Sequence, residues 1–252
     1  MVNLADDLKF ALDRVSFARA LGLEPDPWQD DLLRSISDRV LLNCCRQSGK
    51  STMTGIIALH RAIYHPSSLI LCLAPALRQS QELFGKILAF YRALDRPVPA
   101  RTERKLSLEL ENGTRIVTLP GTEKTIRGFS GAALLIVDEA SRVADELYFA
   151  VRPMLAVSGG ALIMLSTPYG KRGIFFEEWS QGHGWERYEV PTYSCPRIPA
   201  SFLEEERRAL PARVYRQEYE CSFEETDDQV FAYEDVAGAI SEAVTPLFGE
   251  AK

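Results

Sequence analysis

Long apolar runs are missing from this 252-residue chain, and none of its hydrophobic stretches would span a bilayer. The N-terminus, MVNLADDLKFALDRV, carries acids and alternates polar with apolar residues, so it does not read as a signal peptide. No CxxC pair occurs, and the three histidines (His60, His65 and His183) are scattered, which argues against a zinc site. Five cysteines is an odd number, and reduced thiols in a cytosolic compartment fit that usage best. An excess of positive charge is also lacking. The net charge of −6 argues against a protein that coats itself onto nucleic acid by charge alone. It leaves room for a local grip, particularly inside an oligomeric ring. There is no internal repeat and no low-complexity segment.

What is present is core-forming material. Apolar residues make up 46% and charged residues 25%, which suits one large domain or two small ones. Leu4, Leu8, Leu12, Val15 and Ala18 recur at helical spacing and predict a helix over 4–21 that stops at Gly22. Glu24-Pro25-Asp26-Pro27-Trp28-Gln29 leads into a second helix through Leu32, Leu33 and Ile36. Strands are expected at about 39–44, 69–74, 134–137, 161–166 and 185–190, with helices at 50–64, 77–94 and 145–156. Residues 95–102 read as a loop. Glu111-Asn112-Gly113, between apolar segments 106–110 and 114–119, reads as a hairpin turn. Strands that are continuous apolar runs, alternating with helices, imply a mainly parallel sheet covered on both faces. The tail from about 199 is charged and helical around Glu204–Arg208 and Arg213–Tyr219, then acidic through Glu224, Glu225, Asp227 and Asp228.

Chemistry concentrates at the strand ends. Arg46-Gln47-Ser48-Gly49-Lys50-Ser51 follows the apolar run Val40-Leu41-Leu42 and opens a helix, the arrangement that holds nucleotide phosphates. The usual spacing puts a second glycine where this chain has Cys44. Gly49 would let the backbone approach the phosphates, Lys50 would neutralise their charge, and the Ser51 hydroxyl would bind Mg²⁺. Asp138-Glu139 closes the run Leu134–Val137, which places both acids at the sheet edge where ligands of such sheets collect. Asp138 would hold the Mg²⁺ shell and Glu139 would polarise an attacking water.

Three segments in order, RQSGKS (46–51), LLIVDEAS (134–141) and LSTP (165–168), resemble the ATPase domain of the large subunit of tailed-phage terminases. The resemblance covers nearly the whole chain. It implies an α/β P-loop NTPase of the RecA-like (ASCE) type, its parallel sheet flanked by helices, plus a small helical C-terminal subdomain. The expected divisions are a helical lead-in at 1–38, an ATPase core at 39–195 and a helical lid or linker at 196–252. ATP and Mg²⁺ are the implied cofactors. The implied partners are double-stranded DNA, a portal protein, the small terminase subunit and further copies in a ring, without a membrane. The implied location is the host bacterial cytoplasm, at the procapsid portal.

The resemblance also assigns residues. Trp28 and Gln29 match the adenine-reading segment, and Arg46, Gln47, Ser48, Gly49, Lys50, Ser51 and Thr52 the phosphate loop. Ala74-Pro75 with Gln79 and Gln81 matches a segment that touches DNA or nucleotide in translocases. Arg127, in Ile126-Arg127-Gly128-Phe129, is the candidate arginine finger acting on a neighbour's ATP; Arg46, acting in cis, is its competitor. Ser166 and Thr167 match the coupling motif. Glu220–Phe223 and Val230-Phe231 match the segment that closes the ATPase region. Candidate DNA contacts are Arg101, Arg104, Lys105, Lys124, Lys171 and Arg172.

Large terminase subunits usually continue into a nuclease, and no nuclease activity is expected here. Asp227 and Asp228 lack the strand context of a two-metal site, and a fragment is favoured over a naturally nuclease-less protein. A helicase or remodelling ATPase is the alternative. Ser141 after Asp138-Glu139-Ala140, and the lack of a second RecA domain, weigh against it.

Overall fold

The structure is a computed structural model that describes residues 4–120, 128–225, 235, 238 and 239. The chain enters through α1 (Leu4–Leu12), α2 (Arg14–Ala20) and α3 (Pro27–Arg34), then alternates strand and helix: β1 (Arg39–Cys44), α4 (Lys50–Tyr64), β2 (Leu69–Ala74), α5 (Leu77–Ala93). A meander follows, β3 (Ala100–Arg104), β4 (Ser107–Leu110) and β5 (Arg115–Pro120). Next come β6 (Leu134–Asp138), α6 (Asp145–Val151), β7 (Ala161–Ser166), α7 (Gly173–Ser180) and β8 (Glu186–Val190). The last described helices are α8 (Ala200–Ala209) and α9 (Ala212–Tyr219).

Eight strands form one sheet in the order β3-β4-β5-β2-β6-β7-β1-β8. From β5 to β8 every neighbouring pair is parallel; only β4 runs against its neighbours. Each central strand sends alternate residues to opposite faces. On β1, Val40, Leu42 and Cys44 join one core cluster and Leu41 the other. On β6, Leu134 and Ile136 face the first and Leu135 and Val137 the second. Helices α4 and α5 cover the first face; α6 and α7 cover the second. Burial on both faces is why these strands are unbroken apolar runs, whereas the edge strand β8 alternates. The order puts β7 between β1 and β6, so three strand ends converge on one edge.

Several elements differ from the sequence expectations. The helix expected over 4–21 is two helices. The Asp13 carboxylate accepts from the Val15 and Ser16 backbone N–H groups at 3.0 and 3.2 Å, capping a new helix in mid-pattern. Leu4, Leu8 and Leu12 are exposed, not core, and Ile36 lies beyond the end of α3. The 95–102 loop gives way to β3 at Ala100. The helix at 145–156 ends as α6 at Val151 and tightens into a 3₁₀ turn over Arg152–Leu155, because Pro153 has no N–H to extend it. Helix α7 was not anticipated.

The hairpin is as expected. Gly113 takes φ +83°, and the Asn112 side chain donates to Ala62 O at 2.9 Å and Ile63 O at 3.2 Å, fastening the turn to the end of α4.

Candidate functional site

The loop between β1 and α4 sits at the converging strand ends. Its residues Gln47 (φ 59°) and Gly49 (φ 92°) adopt left-handed backbone conformations. The backbone conformation favours glycine there, and a Cβ, 2.9 Å from Gln29 Nε2 and 3.4 Å from Arg197 Nη2, would push the tips of those side chains aside. Cys44, at the position of the missing glycine, points into the core and is fully buried. Burial pushes its thiol up to about 12.

Four anchors hold the loop. Cys45 N donates to Val190 O at 2.9 Å, and Arg46 N donates to Glu218 O at 3.0 Å. Ser48 O accepts from Gln29 Nε2 at 3.1 Å and from Arg197 Nη2 at 2.9 Å. Arg197 also pairs with Asp26 at 2.7 Å. Cys45 and Cys195 bring their sulfurs to 3.8 Å, tying the loop to the segment after β8.

The acids stand opposite. Asp138 is 6% exposed and accepts from Ser51 Oγ at 3.0 Å and from Glu139 N at 2.9 Å. Its pKa is raised, first by burial and then by the Glu139 charge, while Lys50 and Ser51 pull the other way. Glu139 occupies a left-handed conformation (φ 51°, ψ 44°), an unfavourable state for a residue with a Cβ. Lys50, itself buried, reaches Glu139 Oε1 at 3.6 Å and donates to Thr167 Oγ1 at 3.2 Å. Ser166 Oγ lies 2.8 Å from Thr167 O and 3.5 Å from Glu139 Oε2, its single proton available to one of them at a time. Ser141 adds its N–H to Ser166 Oγ at 3.2 Å, with the two hydroxyls 2.6 Å apart. Lys50, Ser51, Asp138, Glu139, Ser166 and Thr167 therefore form one hydrogen-bonded constellation, although they come from three strand ends.

The Arg46 side chain is bonded to the tail and not to that constellation. Its guanidinium forms a two-pronged pair with Glu218 of α9, the Nη2 contact at 3.4 Å, and Glu218 is the main reason its pKa is raised. Gln29 is buried, with Oε1 accepting from Asp26 N at 3.0 Å and Nε2 bonded to the loop. Trp28 is core-packed, its indole N–H buried without a partner. Gln79 caps α5 by accepting from Ala76 N at 3.1 Å, and Gln81 is half-buried.

Arg101 is paired with Glu109 at 3.2 Å, and with Arg104 and Lys105 lies at the far edge of the sheet. Lys171 and Arg172 follow β7 on the site's own edge. Lys124, Arg127, Asp227, Asp228, Val230 and Phe231 lie outside the described residues. Cys221 O accepts from Asn43 Nδ2 at 2.9 Å, and Phe223 packs against Phe175, Phe176 and Trp179, so the closing segment seats on β1 and α7.

Sequence reading missed Arg197 and Glu218, which reach the loop from 149 and 172 residues away. Arg197 lies in a proline-flanked stretch before the charged tail and Glu218 inside the tail, and no local pattern marks either.

Hard oxygen donors suit Mg²⁺, which keeps several waters and takes few protein ligands beside phosphate oxygens. Ser51 Oγ and Asp138 Oδ2 form such a pair. Among the described residues, no group of three or more His, Cys, Asp or Glu side chains forms a metal cage.

Known proteins share this architecture. The large terminase subunit of Thermus virus P23-45 is 27% identical over 252 residues, covering 86% of this chain and 52% of the relative. The chain thus spans about half the length of the curated relatives it matches. The large terminase ATPase domain of Thermus phage P74-26 superposes with a TM-score of 0.73 at 22% identity, covering 82% of this chain and 97% of that one. The large terminase of bacteriophage D6E in complex with ADP gives a TM-score of 0.64 at 11% identity, over 82% of this chain and 52% of that one. At such identities the two structures speak for the fold alone. The family model for the terminase large subunit, T4likevirus-type, N-terminal, matches residues 41–237, from the strand before the phosphate loop to the charged tail. Phosphate loop, acid pair and hydroxyl strand all fall within that span, and the chain belongs to the terminase large subunit N-terminal family.

Proposed function

We propose that this domain hydrolyses ATP and uses the energy to drive double-stranded DNA into a procapsid. One observation carries the reading: Lys50 spans Glu139 and Thr167 while Ser51 meets Asp138, all at the carboxyl edge of a parallel sheet. The D6E large terminase, which has this fold, is solved in complex with ADP.

The loop N–H groups from Gln47 to Thr52 would wrap the phosphates at the start of α4. Lys50, now paired with Glu139, would turn to the β- and γ-phosphates and free the carboxylate. Glu139 would then orient the attacking water and accept its proton. Ser51 and Asp138 would hold Mg²⁺, which when bound neutralises charge developing on the phosphate oxygens. Gln29 and Trp28 would bound the adenine side, Gln29 while bracing Ser48. Ser166 and Thr167 touch Glu139 and Lys50 respectively, so loss of the γ-phosphate would reach β7 directly. The extra cation comes from Arg46 in cis, after release from Glu218, or from Arg127 of a neighbouring subunit.

The proposed setting is a ring of this subunit at the portal, with the small terminase subunit as a further partner, in the bacterial host's cytoplasm. DNA would be gripped through its phosphates, with Lys171 and Arg172 on the site's edge. Residues 196–252 would form a lid whose α9 reports to Arg46.

Nucleotide titration tests the reading. Lys50→Ala should weaken MgATP binding by roughly 10- to 10²-fold, as expected from deleting a charged group that meets phosphate. Glu139→Gln should bind normally. Unchanged binding by Lys50→Ala would refute the phosphate-loop assignment.

A further inference from the structure

A second recess, of about 80 Å³, opens at the opposite pole of the sheet. It is lined by the first residues of β6 and β7 (Leu134 and Ala161) and by Ile57 of α4. Arg14, Arg61 and His65 share this lining. Arg14 opens α2 and donates through Nη2 to Ser35 O at 3.1 Å. Arg61, on the last turn of α4, holds its Nε buried with no hydrogen-bond partner. Among the described residues neither guanidinium has an acid within ion-pair distance; Asp38, which also lines the recess, is paired with neither. Some arginines elsewhere are paired with acids, as Arg34 is with Asp30, Arg197 with Asp26 and Arg216 with Glu224, while Arg39 and Arg187 donate to backbone carbonyls.

The charges of the two arginines reach one another and the His65 ring. Burial lowers the Arg14 pKa and the Arg61 charge lowers it further. His65 is lowered by burial, then by Arg61 and Arg14. His60 also lines the recess, but its Nε2 is committed to Phe10 O at 2.9 Å. Two half-buried guanidiniums without a carboxylate partner are costly without a counter-ion. Guanidinium forks match the oxygens of a tetrahedral oxyanion.

We propose that this recess binds one small tetrahedral oxyanion, of which inorganic phosphate is the reference, through Arg61, Arg14 and His65. The site is distinct from the phosphate loop and does not depend on the ATPase reading. Its size admits a single such group and not a nucleotide. Its small volume favours the free ion over a backbone phosphate carried on the flank of a duplex.

The test follows the His65 ring resonances by NMR while inorganic phosphate is titrated against sodium chloride at equal ionic strength. Lys50→Ala serves as the background, so that the phosphate loop does not compete. The His65 signals should shift saturably, and the affinity should fall at least ~10-fold on adding Arg61→Met. Should that variant fail to fold, Arg14→Met must show the same loss. Absence of a saturable shift, or a shift unaltered in the folded variants, would overturn the proposal. A response to short duplex DNA but not to phosphate would also overturn it, in favour of a backbone-phosphate contact.

Discussion

Gly49 carries two constraints at once, a left-handed φ of 92° and a neighbour 2.9 Å from where a Cβ would sit. Gly49→Ala should therefore cost on the order of 1–2 kcal/mol in backbone strain alone. It should also displace Gln29 from Ser48 and loosen the loop. Thermal unfolding and nucleotide titration should both register the change; a variant matching wild type in both would mean the loop is not braced this way. The Cys44 substitution is harmless by contrast. It falls at the last residue of β1, where a side chain enters the core and no ligand need approach. The phosphate loop and acid pair were legible because each is a short local pattern at the end of an apolar run. Arg197 and Glu218 were not, since nothing local marks a tail residue that folds back onto a loop formed near the chain's start.

At the scale of elements, legibility followed periodicity. β1, β2, β6 and β7 are apolar throughout because both faces are covered, and their bounds were readable to within a residue. The Asp13 break was hidden because the apolar spacing continues through it, and only side-chain capping reveals it. α7, GIFFEEWS, is too short to set a period and was passed over.

Helix α4 offers its own test. His60 is buried against Phe17 and Tyr64, and burial pushes its pKa down to about 4. The unfolded chain takes up this proton near the ordinary value of 6.5, the folded chain only near 4. Stability is therefore intact above about 6.5 and falls as pH drops towards 4, by on the order of 3 kcal/mol from this residue. His60→Gln should flatten the pH dependence of the unfolding free energy in that window. An unchanged slope would mean His60 does not stay neutral in the fold.

For the whole molecule, the sheet order matters most. β7 lies between the phosphate-loop strand and the acid strand, so Ser166 and Thr167 can touch residues of both. That placement gives the proposed coupling a physical route: hydroxyls bonded to the groups that surround the γ-phosphate. The fold leaves Arg46 occupied by α9, so an arginine from a neighbouring chain is a working alternative. Mixing Arg127→Ala chains with Glu139→Gln chains under assembling conditions should partly restore hydrolysis if Arg127 acts in trans. No rescue would assign the role to Arg46 or another residue in cis.

The most direct measurement is phosphate release by wild type and Glu139→Gln under conditions where both are saturated with MgATP. Loss of the carboxylate that orients water should slow release by ~10²-fold or more while binding is retained. Release at the wild-type rate would contradict the assignment of Glu139 and, with it, the proposed ATPase site.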